Sequence, residues 1–312
     1  LKEMNYQPNM YASALAHNKS YTFYLFIPKH EQEAYWEEIE EGANKAMEAR
    51  RDFHIDVRLV YYERFDDASF RQESKACLAL RPDGVIIVPA EPAVTQEFTD
   101  AMHEQGIPFV MLDSYLPALH PLSFYGQDSF SSGYFAARVL MMEAAGAQEI
   151  MLMKQMKNGN VVSKQQANRE VGFRHYMETH YPEVSINEVN LPLDDTKDAY
   201  AAILEDYFTR HTLTRHCITF CSKAHLVGEF LQRTNRADVH IMGYDMVGKN
   251  AECLKKGSIS FLIAQHAYQQ GYSCVEALFR TIVLKKEVQP VNYMPIELIM
   301  KENIDFYRRT QL

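Results

Sequence analysis

The sequence predicts an α/β protein of two lobes, each a doubly wound parallel sheet. Three observations lead there. After residue 20, short β-branched or aromatic runs alternate with longer amphipathic stretches. The alternation yields about ten strands, more than one open sheet usually holds. And 312 residues suffice for two lobes, each with its own core.

In order, Tyr21–Ile27 reads as a strand that stops at Pro28, and Ala34–Arg50 as a helix with Ile39, Ala43, Ala46 and Met47 on one face. Val57–Tyr62 is a strand and Phe70–Leu80 a helix. Gly84–Val88 is a short continuous apolar run, as in a strand covered on both faces. Val94–Glu104 is a helix stopped by Gly106, and Pro108–Leu112 a strand. The rhythm resumes with helix Ser129–Ala145, strand Ile150–Met153, helix Arg169–Thr179 and strand Ile186–Asn190. Helix Lys197–Thr209, strand Cys217–Phe220, helix Ala224–Arg233 and strand Val239–Met242 follow. The series ends with helix Ala251–Lys256, strand Ile259–Ile263, long helix Tyr268–Leu284 and a last strand, Tyr293–Met300. In open α/β sheets ligands bind beyond the carboxyl ends of the strands, so two facing lobes would enclose a cleft lined by strand-end loops.

Composition narrows the function. No apolar run reaches the roughly 18 residues of a membrane span. Five scattered cysteines do not read as a disulfide framework, and a reducing cytoplasm is the expected compartment. A formal charge of −9 excludes DNA binding through bulk charge. Any DNA contact must come from a local element.

Residues 1–19 stand outside the α/β rhythm. Pro8 disfavours helix at Gln7, and Asn9 can cap a short helix over Met10–Ala16. The pattern Y-x-P-N-x-x-A-x-x-L-A, from Tyr6 to Ala16, resembles the last headpiece helix and the hinge helix of lactose/galactose-type repressors. The resemblance, shared with periplasmic sugar-binding proteins, covers nearly the whole chain. It implies a periplasmic-binding-protein-like type I fold, with lobes of residues 20–127 plus 266–293 and 128–265 plus 294–312 joined by a multi-strand hinge. It implies that residues 1–19 end a DNA-binding headpiece otherwise missing from this sequence. Asn9, Ala12 and Leu15 would be the hinge-helix contacts, Leu15 wedging into a base step of the minor groove.

The same resemblance marks a ligand site. In A-Y-W-E-E-I-E-E-G, Tyr35 and Trp36 stand where relatives stack aromatic rings on the ligand; aromatic faces suit the C–H faces of a pyranose, while helix-start core packing is the plainer reading. Asp113 ends the strand PFVML; Ser114 follows it where relatives carry an arginine. Asp128, in G-Q-D-S-F, either accepts ligand hydroxyls or caps the helix beginning near Ser129. Arg169 opens R-E-V-G-F, matching R-x-x-G-F, whose guanidinium offers a fixed fork of donors. The plainer alternative is a surface arginine at a helix start. Asp245 lies in G-Y-D after the strand VHIM, and Gln265 follows SISFLIA. Ser222 and Lys223 occupy the place of an Asn-Asp pair. Lys154–Gln166 reads as an unusually polar loop.

Other signals carry less. GYDMVGKN spells a phosphate loop up to Asn250, which lacks the Mg²⁺-binding hydroxyl. His216, Cys217, Cys221 and His225 resemble metal ligands, but the two thiols would lie roughly 13 Å apart along a strand. The acidic run Glu31–Glu41 is a solvated helix face. No G-x-S-x-G elbow appears. The expectation is therefore no enzyme and no cofactor. The protein is read as a cytoplasmic, homodimeric, ligand-responsive transcription regulator whose partners are a sugar-like effector and operator DNA. The alternative is an extracytoplasmic sugar-binding protein of a transport system.

Overall fold

The computed structural model describes residues 19–30, 35–157, 159–161, 163–193 and 196–309. The hinge-helix positions Asn9, Ala12 and Leu15 lie outside the described residues. The chain divides into two compact units: residues 1–126 with 266–294, and residues 127–265 with 295–312.

The first unit is built on a six-stranded parallel sheet of order β12-β5-β4-β3-β1-β2. Its strands are β1 (Tyr21–Pro28), β2 (Ile55–Tyr62), β3 (Gly84–Ile87), β4 (Phe109–Leu112), β5 (Ser123–Gly126) and β12 (Val291–Tyr293). Side chains alternate across the sheet. Phe23, Leu25 and Ile27 meet α1 (Tyr35–Ala49) and α9 (Ala267–Leu278) on one face. Tyr24 and Phe26 meet α2 (Asp67–Ala79) and α3 (Pro92–Gln105) on the other. Coverage on both faces explains why the strands are almost wholly apolar. Asp66 caps α2, its carboxylate accepting from the amides of Ala68 and Ser69.

The second unit has a seven-stranded sheet, order β13-β11-β10-β9-β6-β7, with β8 on the remaining flank of β6. Its strands are β6 (Glu149–Lys157), β7 (Asn160–Val161), β8 (Ser185–Pro192), β9 (His216–Thr219), β10 (His240–Tyr244), β11 (Ile259–Ala264) and β13 (Glu297–Ile299). Among the described residues, only β7 and β13 run antiparallel to their neighbours. Helices α4 (Ser129–Glu143) and α5 (Lys164–His180) cover one face. On the other lie α6 (Lys197–Arg210), α7 (Ala224–Arg233), α8 (Gly248–Lys256) and α10 (Ile304–Arg309). The two-sheet α/β architecture is the one the sequence predicts.

The two units use one packing device. A Cβ on Gly133 would stand 1.9 Å from the carbonyl oxygen of Arg169, and one on Gly172 2.0 Å from that of Phe130, so α4 and α5 cross backbone to backbone. In the first unit Gly42 and Gly271 bring α1 and α9 together in the same way, with 1.9 Å to Tyr268 O and 2.0 Å to Ile39 O.

Several expected elements need correction. The single last strand is two, because Pro295 has no N–H to donate. The Met294 amide donates to Gly126 O in the first sheet, and β13 pairs with β11 in the second. β5 was not expected at all. The Lys154–Gln166 stretch is not one loop, since β6 runs on to Lys157 and α5 begins at Lys164. The long helix after Gln265 is α-helical to Leu278 and then widens into a π-helical turn, Phe279–Val283.

Candidate functional site

In the second unit, Arg169 occupies the second turn of α5 and is 3% exposed, so it is neither a surface residue nor at a helix start. The Gly133–Gly172 crossing seats α5 deeply enough for the side chain to reach the carboxyl ends of β9, β10 and β11. Its Nη1 donates to Phe220 O at 2.9 Å, and its Nη2 to Gln265 Oε1. The guanidinium lies over the Tyr244 ring, 4.2 Å from the centroid. Its Nε has no hydrogen-bond partner among the described residues, which leaves one buried donor in hand.

Gln265 extends the chain of contacts, its Nε2 donating to Asp245 Oδ1 at 2.7 Å. The structure thus brings Arg169, Gln265 and Asp245 into one buried cluster, with an amide between the two opposite charges. Asp245 is held in the left-handed region at φ 69°, just past β10. His266 (φ 56°), just past β11, and Asp113 (φ 67°), just past β4, share that conformation. Non-glycine residues adopt it at a cost, and such strain gathers at binding sites.

Asn250 secures this corner. Fully buried, it donates from Nδ2 to Ser222 O, Tyr244 O and Asp245 O at 3.0, 2.9 and 3.1 Å. Its Oδ1 accepts from the His225 amide and faces His225 Nδ1, each at 2.9 Å. Burial lowers the His225 pKa to about 4, so the ring is neutral near pH 7 and carries a proton on Nδ1 for Asn250. The residue that breaks the phosphate-loop pattern is therefore a clamp between two strand-end loops. Ser222 joins the site through its carbonyl in this clamp.

In the first unit, Tyr35 donates to Asp113 Oδ1 at 2.9 Å and accepts from Gln270 Nε2 at 3.0 Å. Ser114, in the place of the expected arginine, donates to Asp113 Oδ2 at 3.3 Å. Trp36 packs edge-on against Tyr35, ring centroids 5.0 Å apart, and both rings belong to the core around α1 and α9. The structure thus sets Tyr35 behind Asp113 as its support. Asp128 caps α4, its Oδ1 accepting from the Ser131 amide at 2.9 Å.

The sequence reading missed Asn250, Gln270, Gln127 and Ser132. Gln270 had a signal: it sits on the buried face of α9 with Ala267, Gly271 and Cys274. A polar side chain on an apolar helix face asks for a partner. Among the described residues no group of three or more His, Cys, Asp or Glu could hold a metal, and the five cysteines are free and buried. No helix of the described residues is long and apolar enough to cross a membrane.

Two α/β units whose polar residues gather where strands end define a two-lobed α/β fold of the periplasmic-binding-protein kind. The chain belongs to the periplasmic binding protein domain family, whose profile matches residues 23–286. It is similar to a Bacteroides fragilis protein provisionally described as a LacI transcriptional regulator. The two are 42% identical, with 93% of this chain and 100% of that one covered and a TM-score of 0.89. It shares its fold with GanP, a glucose-galactose binding protein from Geobacillus stearothermophilus, at 20% identity, 92% and 99% coverage and a TM-score of 0.78. It is also 21% identical over 248 residues to the xylose/arabinose-binding protein XylF of Sulfolobus acidocaldarius. That alignment takes in 74% of this chain but 59% of the relative's length.

Proposed function

We propose that this chain is the effector-binding part of a lactose/galactose-type transcription regulator, and that its effector is a sugar or a close polyol. The observation that carries the ligand reading is the Arg169–Gln265–Asp245 cluster: buried, mixed in charge, and holding a spare guanidinium donor. Hydroxyls donate and accept at once, which suits a carboxylate and a guanidinium linked by an amide. Asp113, braced by Tyr35, offers the first unit's acceptor, and Trp36 an apolar face. Asp128 and Ser222 complete the set. The regulator reading is supported by the 42% identity to the Bacteroides fragilis protein and by the Tyr6–Ala16 pattern.

Nothing in this function requires turnover. A ligand acts only through its different affinity for two conformations, and typical couplings of about 1–3 kcal/mol suffice to change DNA affinity. In this reading the protein is a cytoplasmic homodimer that meets operator DNA through Asn9, Ala12, Leu15 and a headpiece before them.

A second reading, an extracytoplasmic sugar-binding protein, is favoured by the likeness to XylF and GanP. One experiment separates the two. The full-length gene product is tested for sequence-specific retention of fragmented genomic DNA, with and without D-xylose, L-arabinose, D-glucose or D-galactose. Sugar-dependent retention is the expected result. Sugar binding without DNA retention would favour the second reading, and neither activity would remove both.

A further inference from the structure

The chain passes between its two units three times, at 126/127, 265/266 and 294/295. On the second unit's side, one side chain stands at the first passage and bonds to residues at or next to the other two. Gln127, 3% exposed, begins that unit. Its Nε2 donates to Ala264 O at 3.1 Å, beside the second passage, and to Pro295 O at 2.9 Å, at the third. Its Oε1 accepts from the Ser132 hydroxyl at 2.7 Å.

The contacts continue inward. Ser132 Oγ lies 3.0 Å from the Tyr244 hydroxyl, and both residues are fully buried. Burial pushes the Tyr244 hydroxyl up to about 12, so it keeps its proton and donates to Ser132, whose own proton goes to Gln127. The ring of Tyr244 is the surface on which the Arg169 guanidinium rests. Each polar atom of the Gln127 amide is used. A glutamate would lose both donations, and an apolar side chain all three contacts.

We propose that Gln127 is a positioning residue for the binding site: through Ser132 and Tyr244 it holds the platform under Arg169, and through Ala264 and Pro295 it fixes the passages beside Gln265 and β13. The ligand consequence rests on the proposed function; the positional one does not. Gln127 is thus a common fixed point for the site and the connecting segments.

The test uses Gln127→Met, Ser132→Ala and the double variant in the full chain. Without ligand, the Arg169 Hε resonance, shifted by the Tyr244 ring current, is followed by NMR, and segment-resolved hydrogen exchange is read at residues 263–267 and 293–297. Ser132→Ala and Gln127→Met should each reduce the ring-current shift. Gln127→Met alone should raise exchange at both segments, by about tenfold for one lost hydrogen bond. Calorimetry with D-xylose, L-arabinose, D-glucose and D-galactose then reads affinity. Each single variant should weaken binding about tenfold or more, and the double should be no weaker than Gln127→Met alone. An unmoved Hε signal in Ser132→Ala, or additive affinity losses, would overturn the proposal. Should Gln127→Met fail to fold, Ser132→Ala and Tyr244→Phe still decide the Hε arm. Should no sugar bind the wild type, the sugar reading fails while the NMR and exchange arms stand.

Discussion

The Arg169 guanidinium rests over the ring of Tyr244: its central carbon lies 4.2 Å from the ring centroid, with both side chains withdrawn from solvent. The cation is held over the ring with Nη1 bonded to Phe220 O and Nη2 to Gln265, while its Nε has no hydrogen-bond partner among the described residues. This pairing is the geometric basis on which the cluster is proposed as a ligand site.

Arg169→Ala should cost both stability and ligand affinity, because the Nη bonds to Phe220 O and Gln265 are lost together with the Nε donor. Losing charge-assisted hydrogen bonds is worth about 1.5–3 kcal/mol, or roughly 10–100-fold in Kd. Arg169→Lys keeps the charge but not the planar fork, and should recover little of it. Calorimetry with the tightest-binding sugar, beside circular dichroism, checks this; unchanged affinity in Arg169→Ala would remove the central site assignment.

Tyr35→Phe removes the donation to Asp113 and the acceptance from Gln270 while leaving the ring in its place against Trp36. Stability should fall by about 1–3 kcal/mol. Sugar affinity should fall as well, because Asp113 loses its support. Urea denaturation and calorimetry measure the two effects separately.

Gly172→Ala forces a methyl group to 2.0 Å from the Phe130 carbonyl oxygen, so α4 and α5 must part. Overpacking of this kind costs about 1–3 kcal/mol. At roughly 2–4 °C per kcal/mol, the melting temperature should drop by several degrees. Differential scanning calorimetry reads it, and an unchanged Tm would mean the helices do not cross this closely.

The buried His225 makes stability depend on pH. Its folded pKa is lowered from 6.5 to about 4 by burial, partly opposed by the bond to Asn250. Above pH 6.5 the ring is neutral in both states and its contribution is complete. As pH falls from 6.5 towards 4, the unfolded chain takes up a proton that the folded one refuses. Stability therefore declines across that window, by on the order of 3 kcal/mol from this residue. His225→Gln should flatten the decline of the urea midpoint between those pH values; an identical slope would contradict the assignment.

Much of the fold is legible in the sequence because strands covered on both faces, such as GVIIV, are continuous apolar runs that little else produces. What escapes has identifiable causes. β5 is four residues long and follows a stretch broken by Pro117 and Pro121, with no alternation to mark it. The first turns of α5 are hidden because Gln165, Gln166 and Arg169 lie on its buried face, so its inward stripe is polar and hydrophobic periodicity misses it. The site divides in the same way. Arg169, Asp245 and Gln265 announce themselves through short motifs, whereas Asn250, Gln127 and Ser132 act through backbone carbonyls and hydroxyls that only the folded chain brings near.

The three passages of the chain also govern how the molecule can be taken apart. Neither unit is a continuous stretch: residues 1–126 depend on 266–294 for α9 and β12, and residues 127–265 on 295–312 for β13 and α10. A fragment stopped at Gly126 would bare the face of α1 around Gly42 and leave β5 without one neighbour. Dissection by simple truncation should yield insoluble pieces. A half-molecule needs its distant segment grafted back through a designed linker before either lobe can be studied alone.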